Sequence, residues 1–222
     1  MKYFKTLIVT VLVLFVIACA KKNEVVKSYY DSEGKMLKEE YEVVADSPSV
    51  RNGNYSLYNK FGKKIETRRY LRNSLTDTLR RFYDSGVRSE ECIYSQNSIN
   101  GYRKLFYESG KPLIEEWYKS GIYDGPYKSW FENGNIKEEG NYLNGELSGM
   151  WKFYYESGAL QQEVNFSNGK EQGAFTYYYE NGKPKTEGSY ENGLNNGKWK
   201  YYSATGALDT DTTWIEGIAI NK

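Results

Sequence analysis

Seven glycines, Gly62, Gly86, Gly110, Gly134, Gly158, Gly182 and Gly206, stand 24 residues apart without a slip, and Gly34 precedes them by 28. Five of the seven follow an aromatic and two polar residues, as in Tyr107-Glu108-Ser109-Gly110 and Tyr155-Glu156-Ser157-Gly158. A fixed period of this length is the signature of a repeat array, whose units bury apolar surface only against their neighbours. It excludes an ordinary globular domain as the first reading of the chain.

Three further columns define the unit. Eight residues after each turn glycine stands an aromatic: Tyr70, Tyr94, Tyr118, Tyr142, Phe166, Tyr190 and Trp214. Eleven residues on, Asn144-Gly145, Asn168-Gly169 and Asn192-Gly193 are hairpin signals, because a type I′ turn needs positive φ at both central residues. Fifteen residues on, Gly101, Gly125, Gly149, Gly173 and Gly197 recur, with Asp77 in place of glycine in an earlier unit. Two turns per unit leave two segments of strand length, so each unit reads as a β-hairpin. Alternation along Gly149-Met150-Trp151-Lys152-Phe153-Tyr154 puts Trp151 and Phe153 on one face and Lys152 and Tyr154 on the other. The second face carries an aromatic column (Tyr58, Phe82, Phe106, Trp130, Tyr154, Tyr178, Tyr202), and the second strand of the hairpin carries an acid five residues after the turn glycine (Glu39, Glu91, Glu115, Glu139, Glu163, Glu187, Asp211), with Thr67 the exception. With aromatics at 17% and aliphatic residues sparse after the first twenty positions, the core must be built from rings. The expected fold is all-β: an elongated, twisted antiparallel sheet of about eight 24-residue hairpins over 29–222, irregular over 29–104 and regular over 105–217.

The pattern Gly-x-aromatic-x-x-aromatic-aromatic, Asn-Gly, Lys, acid, Gly-x-Tyr and a second Asn-Gly is shown best by Gly173 to Gly193 and by Gly149 to Gly169, the latter with Ser157-Gly158 and Val164-Asn165-Phe166 at the first turn and the Gly-x-Tyr position. This pattern resembles the MORN repeat, and more closely its bacterial variant, often filed as YwqK-type antitoxins. The resemblance spans about 29–217 and implies a β-hairpin array with a binding or scaffolding role, no catalytic residues and no cofactor. The early units depart from it: Asp46 to Val50 are inserted, and Leu79 and Arg103 stand where Trp151 and Trp199 stand later.

The first residues carry an address. Lys2 and Lys5 precede an apolar run from Thr6 to Ile17, too short to span a bilayer comfortably, so 1–18 reads as a signal peptide. Val16-Ile17-Ala18-Cys19 resembles the lipobox of bacterial lipoproteins, which makes Cys19 the lipidation site and 19–28 a lipidated tether. Residue 20 is alanine, not the aspartate of the known inner-membrane retention signal, so the expected place is the cell envelope, lipid-anchored at the outer membrane. Cys92 then lacks an intramolecular partner and reads as a small buried thiol.

The chain has no histidine, so the commonest general base and metal ligand are missing, and neither an enzyme nor a metal site is expected. Adjacent acids such as Glu115-Glu116 point to opposite faces of a strand, and the periodic acids read as solvated partners of lysines. All eight arginines (Arg51, Arg68, Arg69, Arg72, Arg80, Arg81, Arg88, Arg103) fall between Arg51 and Lys104. Among them Arg68, Arg69, Arg72, Arg80 and Arg81 are candidates for an anionic lipid or acidic partner, against solvated faces of decayed repeats. Trp130, Trp151 and Trp199 are candidates for stacking on a glycan, against sheet core. The exported address argues against nucleic acid. The chain therefore reads as a non-enzymatic scaffold that binds an envelope protein or polymer. An immunity-like antitoxin and a glycan- or lipid-binding module are the alternatives.

Overall fold

A computed structural model describes residues 22–220. These form seventeen strands and no helix, from β1 (Asn23–Tyr29) to β17 (Ile218–Ile220). Every strand pairs antiparallel with the next in sequence, giving one open meander. At about 4.8 Å per strand the sheet runs roughly 75–80 Å. The all-β hairpin expectation holds. Cys19 and the apolar run before it lie outside the described residues. The sheet starts earlier than the tether expectation placed it, because Asn23 to Tyr29 pair with β2 (Leu37–Val44).

Two turn types build the two long edges. At the first, the Tyr107 N–H donates to the Lys111 carbonyl and the Gly110 N–H to the Tyr107 carbonyl, both at 2.9 Å. With Gly110 at φ 83, this is a three-residue loop closed by a left-handed glycine. At the second edge Asn144 and Gly145 have φ of 51 and 89, the type I′ geometry that Asn-Gly predicts. The second residue of each such turn also reaches back to the preceding hairpin. The Gly145 N–H donates to the Tyr123 carbonyl at 2.8 Å and the Gly193 N–H to the Glu171 carbonyl at 2.9 Å.

The third glycine column does not open a strand as the sequence suggests. The strand β11 (Glu146–Tyr154) begins directly after the turn, and Gly149 sits inside it at φ 70. Opposite it, Glu139 and Asn141 pair with Lys152 and Ser148, so the β11 side carries two extra residues, a bulge that bends the ribbon. Asp77 adopts the same left-handed bulge conformation (φ 63), and its carboxylate accepts from the Thr78 N–H at 2.7 Å.

The core is a single line of side chains across the strands. Trp151 and Val164, register partners, are 2% and 1% exposed. The Trp151 ring lies over Gly140, where an added Cβ would stand 2.2 Å from it, and stacks on Tyr127 at 5.5 Å between centroids. Its indole N–H donates to the Asn141 carbonyl at 3.2 Å. The arrangement repeats 48 residues on, with Trp199 over Gly188 and bonded to the Ser189 carbonyl at 3.2 Å. Large and small residues thus alternate along the spine so that each ring has a slot.

In the early units the same line is charged. Arg68 pairs with Glu66 (2.6 Å), Glu66 with Arg81 (2.9 Å), Arg81 with Glu90 (2.5 Å), Glu90 with Arg103 (2.7 Å) and Arg103 with Glu116 (2.9 Å). Glu66, Glu90 and Glu116 are buried, and the Tyr118 hydroxyl completes the chain by donating to Glu116 at 2.8 Å. The units expected as irregular keep regular hairpin pairing; the irregularity is in side-chain chemistry. The insertion at Asp46 to Val50 is absorbed by lengthening β3 (Ser47–Tyr58), where Val43 pairs with Arg51 while Val44 pairs with Ser47.

Neighbouring units are also stapled by phenols. The hydroxyls of Tyr83, Tyr107, Tyr155 and Tyr179 donate to the carbonyls of Phe106, Trp130, Tyr178 and Tyr202 at 2.7, 2.8, 2.7 and 2.8 Å. Phe131 occupies the same position without a hydroxyl. Phe131→Tyr is expected to supply the missing bond to the Tyr154 carbonyl and to stabilise by about 0.5–1.5 kcal/mol. Urea unfolding measures it; an unchanged midpoint would mean that the staple contributes nothing.

Candidate binding groove on the second face

The second face carries one charge per strand in an alternating row. Arg80 pairs in register with Glu91, Glu91 with Lys104, Lys104 with Glu115, Glu115 with Lys128, Lys128 with Glu139, Glu139 with Lys152 and Lys152 with Glu163. Ion pairs close at 2.7 Å (Arg80–Glu91), 3.2 Å (Lys104–Glu115), 2.8 Å (Lys128–Glu139) and 3.0 Å (Lys152–Glu163). The acid column is thus matched by bases across the strands, in the middle of the sheet rather than along a solvated edge. The aromatic column flanks the row, half-buried in all seven units.

On β8 (Pro112–Lys119), β9 (Ile122–Trp130), β10 (Ile136–Leu143) and β11 the row becomes the floor of a groove of about 660 Å³. Trp130 stands on one side of the charges, and Trp117, Pro126 and Met150 on the other. Trp117 is 39% and Met150 50% exposed, which leaves apolar surface facing water. The Tyr154 hydroxyl donates to Glu139 at 2.7 Å. The hydrogen bond from Lys128, then that from Tyr154, holds the Glu139 carboxyl below the usual range, while burial, then the bond to Glu139, pushes the Tyr154 phenol up to about 12.

Tyr55 and Tyr155 are likewise pushed up to about 12, chiefly by burial. A raised phenol pKa means that the fold favours the neutral form. The stability this provides is complete below the unfolded value near 10 and is lost as pH rises through about 12. Phenolate absorbance from these residues is expected only above about pH 11, together with loss of the sheet signal in circular dichroism. Full titration near pH 10 with the sheet intact would contradict these environments.

The structure separates residues that the sequence grouped. Trp151 and Trp199 are buried in the spine, on the face opposite Trp130, so the three tryptophans do not form one track. The groove partner of Trp130 is Trp117, which sequence reasoning missed. Its signal was there: seven residues after the turn glycine, the later units hold Asn141, Asn165, Ser189 and Thr213. The arginines divide likewise. Arg68 and Arg81 belong to the spine network, with Arg68 also 4.4 Å from the Tyr55 ring centroid. Arg80 shares Glu91 with Arg88, Arg69 faces Asp77 at 3.7 Å, and Arg72 opens a turn at φ 48. Cys92 is fully buried, and burial, then the charge of Glu90, pushes its thiol up to about 11. Among the described residues no three acids or cysteines cluster closely enough to hold a metal ion.

Lysine pairing occupies the groove carboxylates, and what the surface offers is stacking, apolar contact and paired donors and acceptors. No curated protein matches the chain. Among solved structures it is similar to a chain of the crystal structure of TcdB2-TccC3-Cdc42, 10% identical with a TM-score of 0.17, over 87% of this chain and 13% of that one. Residues 123–144, 147–168 and 171–192 match the family described as MORN repeat variant, so three consecutive MORN-variant units, the first two of which supply β9, β10 and β11 to the groove, lie within the longer array of hairpins.

Proposed function

We propose that this chain is a non-enzymatic scaffold, anchored in a bacterial envelope through lipid on Cys19, that binds a partner across the second face of its sheet. The observation that carries the reading is the groove over β8–β11, where Trp117 and Met150 remain exposed beside charges that are already paired. Exposed apolar surface rimmed by polar groups is what an interaction site requires. A repeat array presents such a surface on a rigid, extended frame. The lipobox resemblance at Val16 to Cys19 supports the anchor. Cross-linking in native membranes is expected to recover the chain with one stoichiometric partner, and Cys19→Ser to move it to the soluble fraction. Recovery of the uncross-linked chain alone, or unchanged sedimentation of the variant, would remove the corresponding half of the proposal.

A further inference from the structure

We infer that the groove between Trp117 and Trp130 binds a short, neutral oligosaccharide, a reading that rests on the proposal that the chain is a binding scaffold. Three features of the groove decide the chemistry. Its floor alternates carboxylate and ammonium, Glu115, Lys128, Glu139, Lys152, and each charge already has a partner: Lys128 and Glu139 hold each other, Glu115 is held by Lys104 and Lys152 by Glu163. A ligand with net charge gains little there, because binding one sign means displacing an existing partner. A wholly apolar ligand is disfavoured too, since covering the ion pairs removes their water and returns no hydrogen bond.

What remains is a neutral molecule with many groups that both donate and accept, together with apolar faces. Pyranose rings have both properties. Their hydroxyls can accept from Lys128 and Lys152 and donate to Glu115 and Glu139 without breaking the ion pairs. Their C–H faces can pack on the indoles of Trp117 and Trp130 and on Met150. The groove crosses four strands, roughly 14 Å from first to last at about 4.8 Å each, which is room for a short chain rather than one ring. The apolar wall is local. The later units place Asn165, Ser189 and Thr213 where Trp117 stands, so the feature is not forced by the repeat. Glu115 and Glu139 are each held by a lysine, so the sugar is held and not cut.

The test is titration of the full chain in detergent micelles with a panel of neutral oligosaccharides, chitotetraose and cellotetraose among them. A sulfated disaccharide and a proline-rich peptide serve as the other arms, with calorimetry, tryptophan fluorescence and analysis of the recovered sugar as readouts. The inference expects a neutral member of the panel to bind and to be recovered intact. Trp117→Ala and Trp130→Ala are expected each to weaken binding about tenfold, the loss of one packed ring, with the sheet signal in circular dichroism unchanged at the temperature of the titration. Trp117→Phe is expected to retain most of the affinity, and Asn165→Ala, outside the groove, all of it. Binding of none of the neutral sugars, or of only the sulfated sugar or the peptide, overturns the inference. So does equal affinity in wild type and Trp117→Ala. If the sugars fail while membrane cross-linking captures a protein partner, the scaffold reading stands alone. Cleavage of the sugar overturns both.

Discussion

Trp151→Ala is expected to lower stability by about 3–5 kcal/mol, the range for removing a large buried aromatic. The ring is 2% exposed, stacks on Tyr127 at 5.5 Å, meets Tyr142 edge-on at 5.3 Å and covers Gly140. Alanine leaves a void between those rings, and the slot at Gly140 cannot collapse, because a glycine has no side chain to fill it. In an array held together by nearest neighbours, the loss should be local at first. Urea unfolding followed by hydrogen exchange is expected to show the strands around β10 and β11 opening before the rest. A loss below about 1 kcal/mol would mean that the ring spine does not carry the sheet.

Arg103→Leu is expected to be as damaging, at about 3–5 kcal/mol, for a different reason. Its guanidinium bridges Glu90 and Glu116, 7% and 3% exposed, and each carboxylate keeps only part of its partnership when the bridge is gone. Glu90 retains Arg81 and Glu116 retains the Tyr118 hydroxyl, so the two buried charges are left under-compensated rather than bare. Urea unfolding measures the loss, and Arg103→Lys, which keeps the charge but not the two-pronged fork, is expected to recover only part of it. A loss below about 1 kcal/mol in Arg103→Leu would show that the bridge does not hold the early units together.

The sequence made the hairpin architecture legible because turn chemistry is local. Asn144-Gly145 and its counterparts need positive φ at two consecutive residues, and few residue pairs permit that at low cost. The 24-residue period and the alternation about Trp151 are likewise readable without tertiary contacts. Less legible was Gly149, whose column suggests the start of a strand but marks a bulge within one, since a positive φ does not say whether pairing resumes on both sides. The charged spine was harder still. Arg81, Glu90 and Arg103 look like solvated charges in sequence, and only cross-strand register makes them partners.

Local preferences along the chain settled the all-β class, the length of the unit, the two turns and which side chains share a face of a strand. They are properties of a few adjacent residues, so any folded form must respect them. The tertiary structure alone decided which rings are core and which are exposed. Trp151 and Trp199 pack over glycines on one side of the sheet, while Trp117 and Trp130 flank a charge row on the other. That division depends on bulges and on partners one strand away, and it appears only when neighbouring hairpins lie edge to edge.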